Sequence, residues 1–363
     1  MGRPLSLVVL GLSLSSSWGN GHATTYRALL KAFAARGHRV TFLERDVPWY
    51  AAHRDVTAPD YCTLALYPDL AALDRWRGAV AAADAVIVGS FVPDGIAVGQ
   101  WVQATARGTT AFYDIDTPVT LTQLANGECP FLSAEQIPRY DLYLSFTGGP
   151  TLDLLMRHYG APDARPLYCS VDPEAYRPVE TVRRWDLSYL GTYSDDRQPT
   201  LDALLLEVAR RAPELRFAVA GAQYPPTILW PDNVERLEHV PPAEHAAFYG
   251  ASRFTLNVTR GAMIRAGYSP SVRLFEAAAC GLPVISDIWD GIETVFVPGQ
   301  EILLAQRTED VLDRLRGVDE IGARIGLAAR RRVLRDHTAA TRAAELERYL
   351  ATASAARLGA VSA

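Results

Sequence analysis

Two stretches of this 363-residue chain carry side chains suited to holding a phosphate ester. The sharper is Ser269-Pro-Ser-Val-Arg-Leu-Phe-Glu276-Ala-Ala-Ala-Cys-Gly281-Leu-Pro-Val-Ile-Ser286. Ser269 suits a helix N-cap, Pro270 the first helical position, Gly281 a left-handed stop and Pro283 the opening of a strand. Backbone N–H groups at such a start, with Ser269 and Ser271 beside them, lack partners within the helix, and the helix dipole adds to their pull on an anion. From Asn257 to Arg273 the chain places Arg260, Arg265 and Arg273 and no acid, so a local anionic ligand fits. Glu276 lies about two turns inside the helix, where a carboxylate can accept hydrogen bonds from the neutral hydroxyls of a ribose. The plainer reading of Arg273 and Glu276 is an i, i+3 surface pair.

The second stretch is Gly191-Thr-Tyr-Ser-Asp-Asp-Arg197, which follows a strand pattern and precedes a helix. Glycine at Gly191 admits a close backbone approach, Thr192 follows it, and Arg197 can pair with a pyrophosphate through its forked N–H groups. Alternatively this is an ordinary turn in which Ser194 or Asp195 caps the helix. Near the start of the chain, Ser15-Ser-Ser-Trp-Gly19-Asn-Gly21-His22 reads as a loop in which Gly19, Asn20 and Gly21 let a substrate approach. His22 could donate a hydrogen bond to a sugar or phosphate, or simply be a polar residue at a helix start. Asp114 and Asp116, in Tyr113-Asp-Ile-Asp-Thr-Pro118, lie just past a strand's C-terminal end; alternation puts both on one face, where they could orient hydroxyls, take a proton or cap the turn. Glu44 ends a second strand, as the ribose-binding acid of an NAD fingerprint would, although Thr24 stands where a third glycine belongs. His239-Val-Pro-Pro242 is a loop near a nucleobase or a mere connection.

These residues need an α/β frame to position them. Strand patterns at Arg39–Leu43, Ala85–Gly89, Thr110–Tyr113 and Leu142–Ser145 alternate with helical spacing, and the first apolar run, Leu5–Leu14, leads through the glycine loop into a helix from Thr24 to Ala35. That order describes a βαβ start of a parallel sheet rather than a secretory leader. Turn-rich segments at 160–163 and 172–178 mark a domain boundary, placing one doubly wound domain at 1–165 and a second at 166–335. Strands at Asp186–Leu190, Phe217–Ala220, Phe254–Val258 and Pro283–Ser286 build the second, and an amphipathic helical stretch, about 309–355, ends the chain with Leu312, Leu315, Ile321, Ile325 and Leu327 as its apolar residues. The length exceeds that of a usual single core.

A formal net charge of −5 disfavours a nucleic-acid grip over the whole surface. The composition, 49% hydrophobic and 21% charged, contains no run of roughly 18 apolar residues, so a cytoplasmic enzyme without an integral membrane span is expected. Cys62, Cys129, Cys169 and Cys280 form no C-x-x-C pair and read as reduced thiols.

The chain resembles the retaining GT-B glycosyltransferases, and within them a CgeB-like branch. The likeness is carried by Gly191-Thr192, by the segment from Ser269 to Gly281, by Asp287-Ile-Trp-Asp-Gly-Ile-Glu293, and more weakly by Trp18-Gly-Asn-Gly-His22 and Tyr113-Asp-Ile-Asp-Thr-Pro118. It implies an acceptor-binding first domain, a donor-binding second domain facing it across a cleft, no metal, and a final helix, 336–363, crossing back to the first domain. It implies a UDP-, GDP- or dTDP-sugar as donor and a small-molecule, glycan or protein acceptor. Of the two glutamates spaced eight positions apart in the wider group, Glu276 matches the second, and Tyr268 stands at the first. Arg197, Arg265 and Arg273 would stabilise the departing diphosphate, and His22 and Asp116 would position sugar and acceptor. The competing expectations are a nucleotide-sugar epimerase on the same fold, an NAD-linked oxidoreductase using Glu44, and a non-catalytic binding module.

Overall fold

The structure, a computed structural model, describes residues 3–19 and 21–361. The chain forms two compact units: one runs to Cys169 and resumes at Ala339, and the other is Ser170–Thr338.

Unit 1 is built on seven parallel strands, β1 (Ser6–Gly11), β2 (Arg39–Arg45), β3 (Thr63–Tyr67), β4 (Ala85–Gly89), β5 (Thr109–Asp114), β6 (Leu142–Ser145) and β7 (Ala164–Pro166), in the order β3-β2-β1-β4-β5-β6-β7. The apolar run that mimics a leader is therefore a central strand. Its residues alternate between two cores: Leu7 and Val9 pack with helix α1 (His22–Ala35) on one face, and Val8 and Leu10 join Val86, Val88 and Phe112 on the other. Continuous apolar strands of this kind are what burial on both faces of a parallel sheet requires.

Helix α2 (Thr117–Ala125) follows β5. In unit 2, six parallel strands, β8 (Trp185–Leu190), β9 (Phe217–Ala220), β10 (Val234–Leu237), β11 (Ser252–Asn257), β12 (Val284–Ser286) and β13 (Leu303–Leu304), take the order β10-β9-β8-β11-β12-β13. Leu187, Tyr189, Phe217, Val219, Phe254 and Leu256 point into a core closed by the helical segment 198–211, which contains a π-helical stretch at Asp202–Leu206. Helix α3 (Val272–Ala279) lies between β11 and β12. Expected strands fall on observed ones; the short β3, β7, β10 and β13 carry too few alternating residues to announce themselves.

The expected long terminal stretch is three helices: Thr308–Arg316, then α4 (Asp319–Asp336), then α5 (Ala339–Val361). Leu312, Leu315 and Ile325 are buried as expected, but Ile321 and Leu327 are 47% and 56% exposed, because the break at Gly317 and Val318 shifts the helical phase. Helix α5 packs on α1 through Ala343, Leu346, Leu350 and Ala353, a 3-4-3 spacing that keeps one stripe against the partner.

Candidate functional site

In unit 2, the predicted anion-binding residues gather at the C-terminal ends of β8, β9 and β11. Gly191 leaves β8 with its N–H donating to the Ala220 carbonyl at 2.8 Å. A Cβ on Gly221, whose φ is +148°, would lie 2.1 Å from the Gly191 oxygen, and one on Gly191 would lie 2.7 Å from Arg273 Nη2. The two glycines therefore let two loop backbones and a guanidinium crowd together, which no side chain would permit. Arg273 is only 9% exposed. Its Nε donates to the Leu190 carbonyl, Nη1 donates to Asn257 Oδ1 at 3.0 Å, and its guanidinium lies 4.8 Å from the centre of the Tyr189 ring. No ion pair joins Arg273 to Glu276 among the described residues, so the plainer reading of a surface pair does not describe them.

Arg197 completes the cluster. Its Nη2 donates to the Thr192 carbonyl at 2.5 Å, while its buried Nε has no partner. Burial, and then the positive charges of Arg273 and Arg260, hold this guanidinium below its usual range. Two further guanidiniums thus lie close enough to disfavour the Arg197 charge and one buried N–H is unused, an arrangement open to an anionic ligand even with the Asp196 carboxylate near Arg260 and Arg197. The alternative of an ordinary helix cap does not hold: Ser194 Oγ bonds to Asp196, Asp195 accepts from the Tyr193 hydroxyl, and the helix starting at Gln198 has no side-chain cap.

Helix α3 begins two residues later than the proline pattern predicts. Its N-cap is Ser271, not Ser269, and neither caps it with a side chain: Ser271 Oγ donates to Asn257 Oδ1 at 2.7 Å and Ser269 Oγ contacts Met263 Sδ at 3.5 Å. Tertiary bonds outcompete the cap. The expected stop at Gly281 is present, with φ +75°. Fully buried Asn257 is the hub that sequence reading missed, since it accepts from Ser271 and Arg273 and donates to Ser286 Oγ at 3.0 Å. A polar residue ending an apolar strand was its one sequence signal.

Glu276, 6% exposed, faces a group of side chains the sequence also left unmarked. The Tyr249 hydroxyl donates to Glu276 Oε2 at 3.5 Å, and His245 Nδ1 lies 3.9 Å from the same oxygen and 3.2 Å from the Tyr176 hydroxyl. His245 Nε2 sits 3.1 Å from the Val240 carbonyl, so the imidazole ties the loop after β10 to this carboxylate. His239 and Arg265 are both exposed, outside this tight cluster.

In unit 1, His22 opens α1 behind Gly21, which serves as N-cap without a side chain; Gly19 has φ +67°, and no atom lies within 4 Å of the position a Cβ would take on either glycine. Asn20 lies outside the described residues. His22 Nε2 is 3.7 Å from Asp116 Oδ2, and its buried Nδ1 has no partner. Asp116 is the N-cap of α2, without a side-chain capping bond. Strand β5 ends at Asp114, so the alternation expected to relate Asp114 and Asp116 does not reach Asp116. Asp114 is fully buried and accepts from the Tyr143 hydroxyl at 2.6 Å, the Thr120 hydroxyl at 2.8 Å and the Asp116 N–H at 3.3 Å.

Burial, reinforced by the Asp116 charge, pushes the Asp114 carboxyl from 3.8 up to about 6 despite those bonds. A folded-state value above the unfolded one means that Asp114 favours folding most below about 3.8 and that this contribution is lost as pH rises through about 6. The cost at neutral pH is on the order of 3 kcal/mol. Thermal melts of the wild type and Asp114→Asn from pH 4.5 to 7.5 should diverge accordingly, the wild type losing stability relative to the variant as pH rises. Parallel curves would remove this role.

Glu44 does not serve an NAD ribose. It is fully buried and accepts from the Leu14 and Ser15 amides at 2.7 and 2.8 Å and from the Ser15 hydroxyl at 2.6 Å, so it anchors the loop after β1. Among the described residues, no three His, Cys, Asp or Glu side chains are grouped to hold a metal ion, and no helix is long and apolar enough to cross a membrane.

Residues 197–348 match the sequence model of a family described as glycosyl transferase-like. No curated protein sequence matches the chain significantly. Solved structures are similar over nearly the whole length. Sucrose-phosphate synthase from Thermosynechococcus elongatus is 14% identical with a TM-score of 0.69, over 98% of this chain and 100% of that one. Anabaena Alr3699/HepE in complex with UDP-glucose is 12% identical with a TM-score of 0.67, over 96% and 100%. An alpha-glucosyltransferase in complex with UDP-glucose and DNA containing an abasic site is 13% identical with a TM-score of 0.71, also over 96% and 100%. The chain therefore has the fold of the GT-B glycosyltransferases, and its residues 197–348 carry a glycosyl transferase-like sequence.

Proposed function

We propose that the chain transfers a sugar from a UDP-sugar to an acceptor hydroxyl, without a metal and with retention of configuration. The carrying observation is the cluster of Arg197, Arg273 and Arg260, with the buried Arg197 Nε unpartnered, beside the Gly191–Gly221 close approach. In this reading the diphosphate lies against Gly191, Thr192 and the segment that leads into α3, with Ser269 and the N-cap Ser271, while Arg197 and Arg265 meet its charge and Arg273 braces the loop. Glu276 accepts from the ribose hydroxyls, and the loop carrying His239 and Val240 meets the base. Two of the similar structures named above hold UDP-glucose, which supports uridine over guanosine or thymidine.

In the transfer, the bond from the anomeric carbon to the β-phosphate oxygen breaks and the acceptor oxygen bonds that carbon on the same face. The acceptor proton passes to the departing phosphate oxygen, so no separate strong base is required. Guanidiniums already aimed at the phosphate stabilise the charge that grows there, without reorganisation during the reaction. His22 and Asp116 position the reacting hydroxyl, and unit 1 holds the acceptor. A ligand that binds only the folded protein stabilises it by about 2.7 kcal/mol at roughly 100 times Kd. Thermal melts with UDP-, GDP- and dTDP-sugars should therefore show a rise in Tm with a UDP-sugar above the others. No rise with any of them would end the proposal.

A further inference from the structure

Unit 1 presents a second organised surface on the loops that follow β1 and β2. The Trp18 indole stacks on the His53 imidazole, with ring centres 4.4 Å apart and planes within 16°. It nevertheless stays 38% exposed, and Trp49, at the start of the segment that ends in His53, is 63% exposed. The stack is fixed from beneath. Ser16 Oγ donates to the His53 carbonyl at 2.8 Å, the Trp18 backbone N–H donates to Ser16 Oγ at 3.3 Å, and the Asp55 and Val56 amides donate to the Ser15 carbonyl at 3.0 and 3.1 Å. Glu44 holds Leu14 and Ser15 in turn. A ring that docks on a surface already held in place loses little conformational entropy to ordering it.

The rim of this surface is charged. Asp55 accepts from Ser17 Oγ at 2.7 Å and from Arg27 Nη1 at 3.0 Å, and Arg54 pairs with Asp46 at 2.5 Å. Burial opposes it, but the Arg27 and Ser17 hydrogen bonds hold the Asp55 carboxyl below its ordinary range, so at neutral pH it only accepts. An apolar acceptor fits an enclosed, mostly apolar pocket. An indole face bordered by carboxylates and guanidiniums instead matches a pyranose, whose axial C–H bonds lie flat on an aromatic ring while its equatorial hydroxyls reach polar groups around the edge. The loop carrying Trp18 runs on into His22 at the head of α1.

We infer that Trp18 and His53 form an acceptor subsite for a pyranose ring, so that the acceptor is a glycan or glycoside. This rests on the reading above, in which unit 1 holds the acceptor. The test is saturation-transfer NMR on the full chain, without nucleotide, using methyl glucopyranoside, methyl mannopyranoside, maltose and cellobiose as probes and p-nitrophenol as an aryl control. At least one sugar should receive saturation from the wild type. Trp18→Ala should weaken its affinity about tenfold, the scale of one aromatic contact, and Trp18→Phe should restore most of it. Trp18 is partly exposed, and His53→Ala supplies a second, independent removal of the stack. The inference is overturned if no sugar binds the wild type, if only p-nitrophenol binds, or if both variants bind sugars as well as the wild type. UDP affinity, measured separately, judges the donor reading, so a chain that binds sugars on Trp18 but no UDP would sink that reading and leave this one standing.

Discussion

Replacing Arg197 with alanine should lower kcat/KM for sugar transfer about 10²–10³-fold, the usual loss when one preorganised donor to a developing negative charge is removed. The same change should leave the free protein at least as heat-stable as the wild type. Arg197 is partly desolvated beside Arg273 and Arg260, and its Nε is buried without a partner. Removing it relieves repulsion and abolishes an unmet hydrogen-bond demand, at the expense of the bond to the Thr192 carbonyl. Loss of activity without loss of Tm would mark a charge kept for a ligand rather than for the fold. Arg197→Lys should recover only part of the rate, because an ammonium restores charge without the planar fork. Steady-state kinetics and melts on the three proteins decide the matter: a large fall in Tm with no fall in kcat/KM would show that Arg197 is structural.

The second large effect concerns Glu276. Hydrogen bonds to a charged group are worth about 1.5–3 kcal/mol, so Glu276→Ala should weaken UDP binding about 10- to 150-fold. Because the carboxylate also holds Tyr249 and neighbours His245, loss of affinity alone would not separate ribose contact from local disorder. Comparing UDP with its 2′-deoxy analogue makes that separation. The wild type should favour UDP about tenfold or more, and Glu276→Ala should bind both alike, since the coupling between a side chain and a hydroxyl vanishes when either is absent. Calorimetry showing the same preference in both proteins would move the ribose elsewhere. Pyrophosphate, which has no ribose, should bind both proteins equally.

Much of this frame was legible in the sequence because parallel strands buried on both faces write continuous apolar runs, and glycine or proline punctuates the turns between them. The site was legible where backbone geometry demands a residue type: Gly191, required by the Arg273 guanidinium and Tyr189 beside it, and Gly281, at a left-handed helix end, stand where their spacing placed them. Local rules failed wherever a tertiary partner offered more. Ser269 and Ser271 suit caps, yet one faces Met263 and the other Asn257, so α3 starts later than its proline predicts. Glu44 reads as a ribose ligand until the loop of Leu14 and Ser15 folds over it, and Asp114 reads as a surface acid until Tyr143 and Thr120 enclose it.

The sequence by itself determined two doubly wound α/β units and the chemical character of the loops at their strand ends, since periodicity and turn residues are local properties. Only the tertiary structure decided which of those polar groups remain available. Hydrogen bonds between residues distant along the chain, such as Arg273 to Asn257 or His245 to Val240, commit some groups to the scaffold and leave others, such as the Arg197 Nε, without a partner. That allocation depends on which side chains meet in space, which spacing along the chain does not encode.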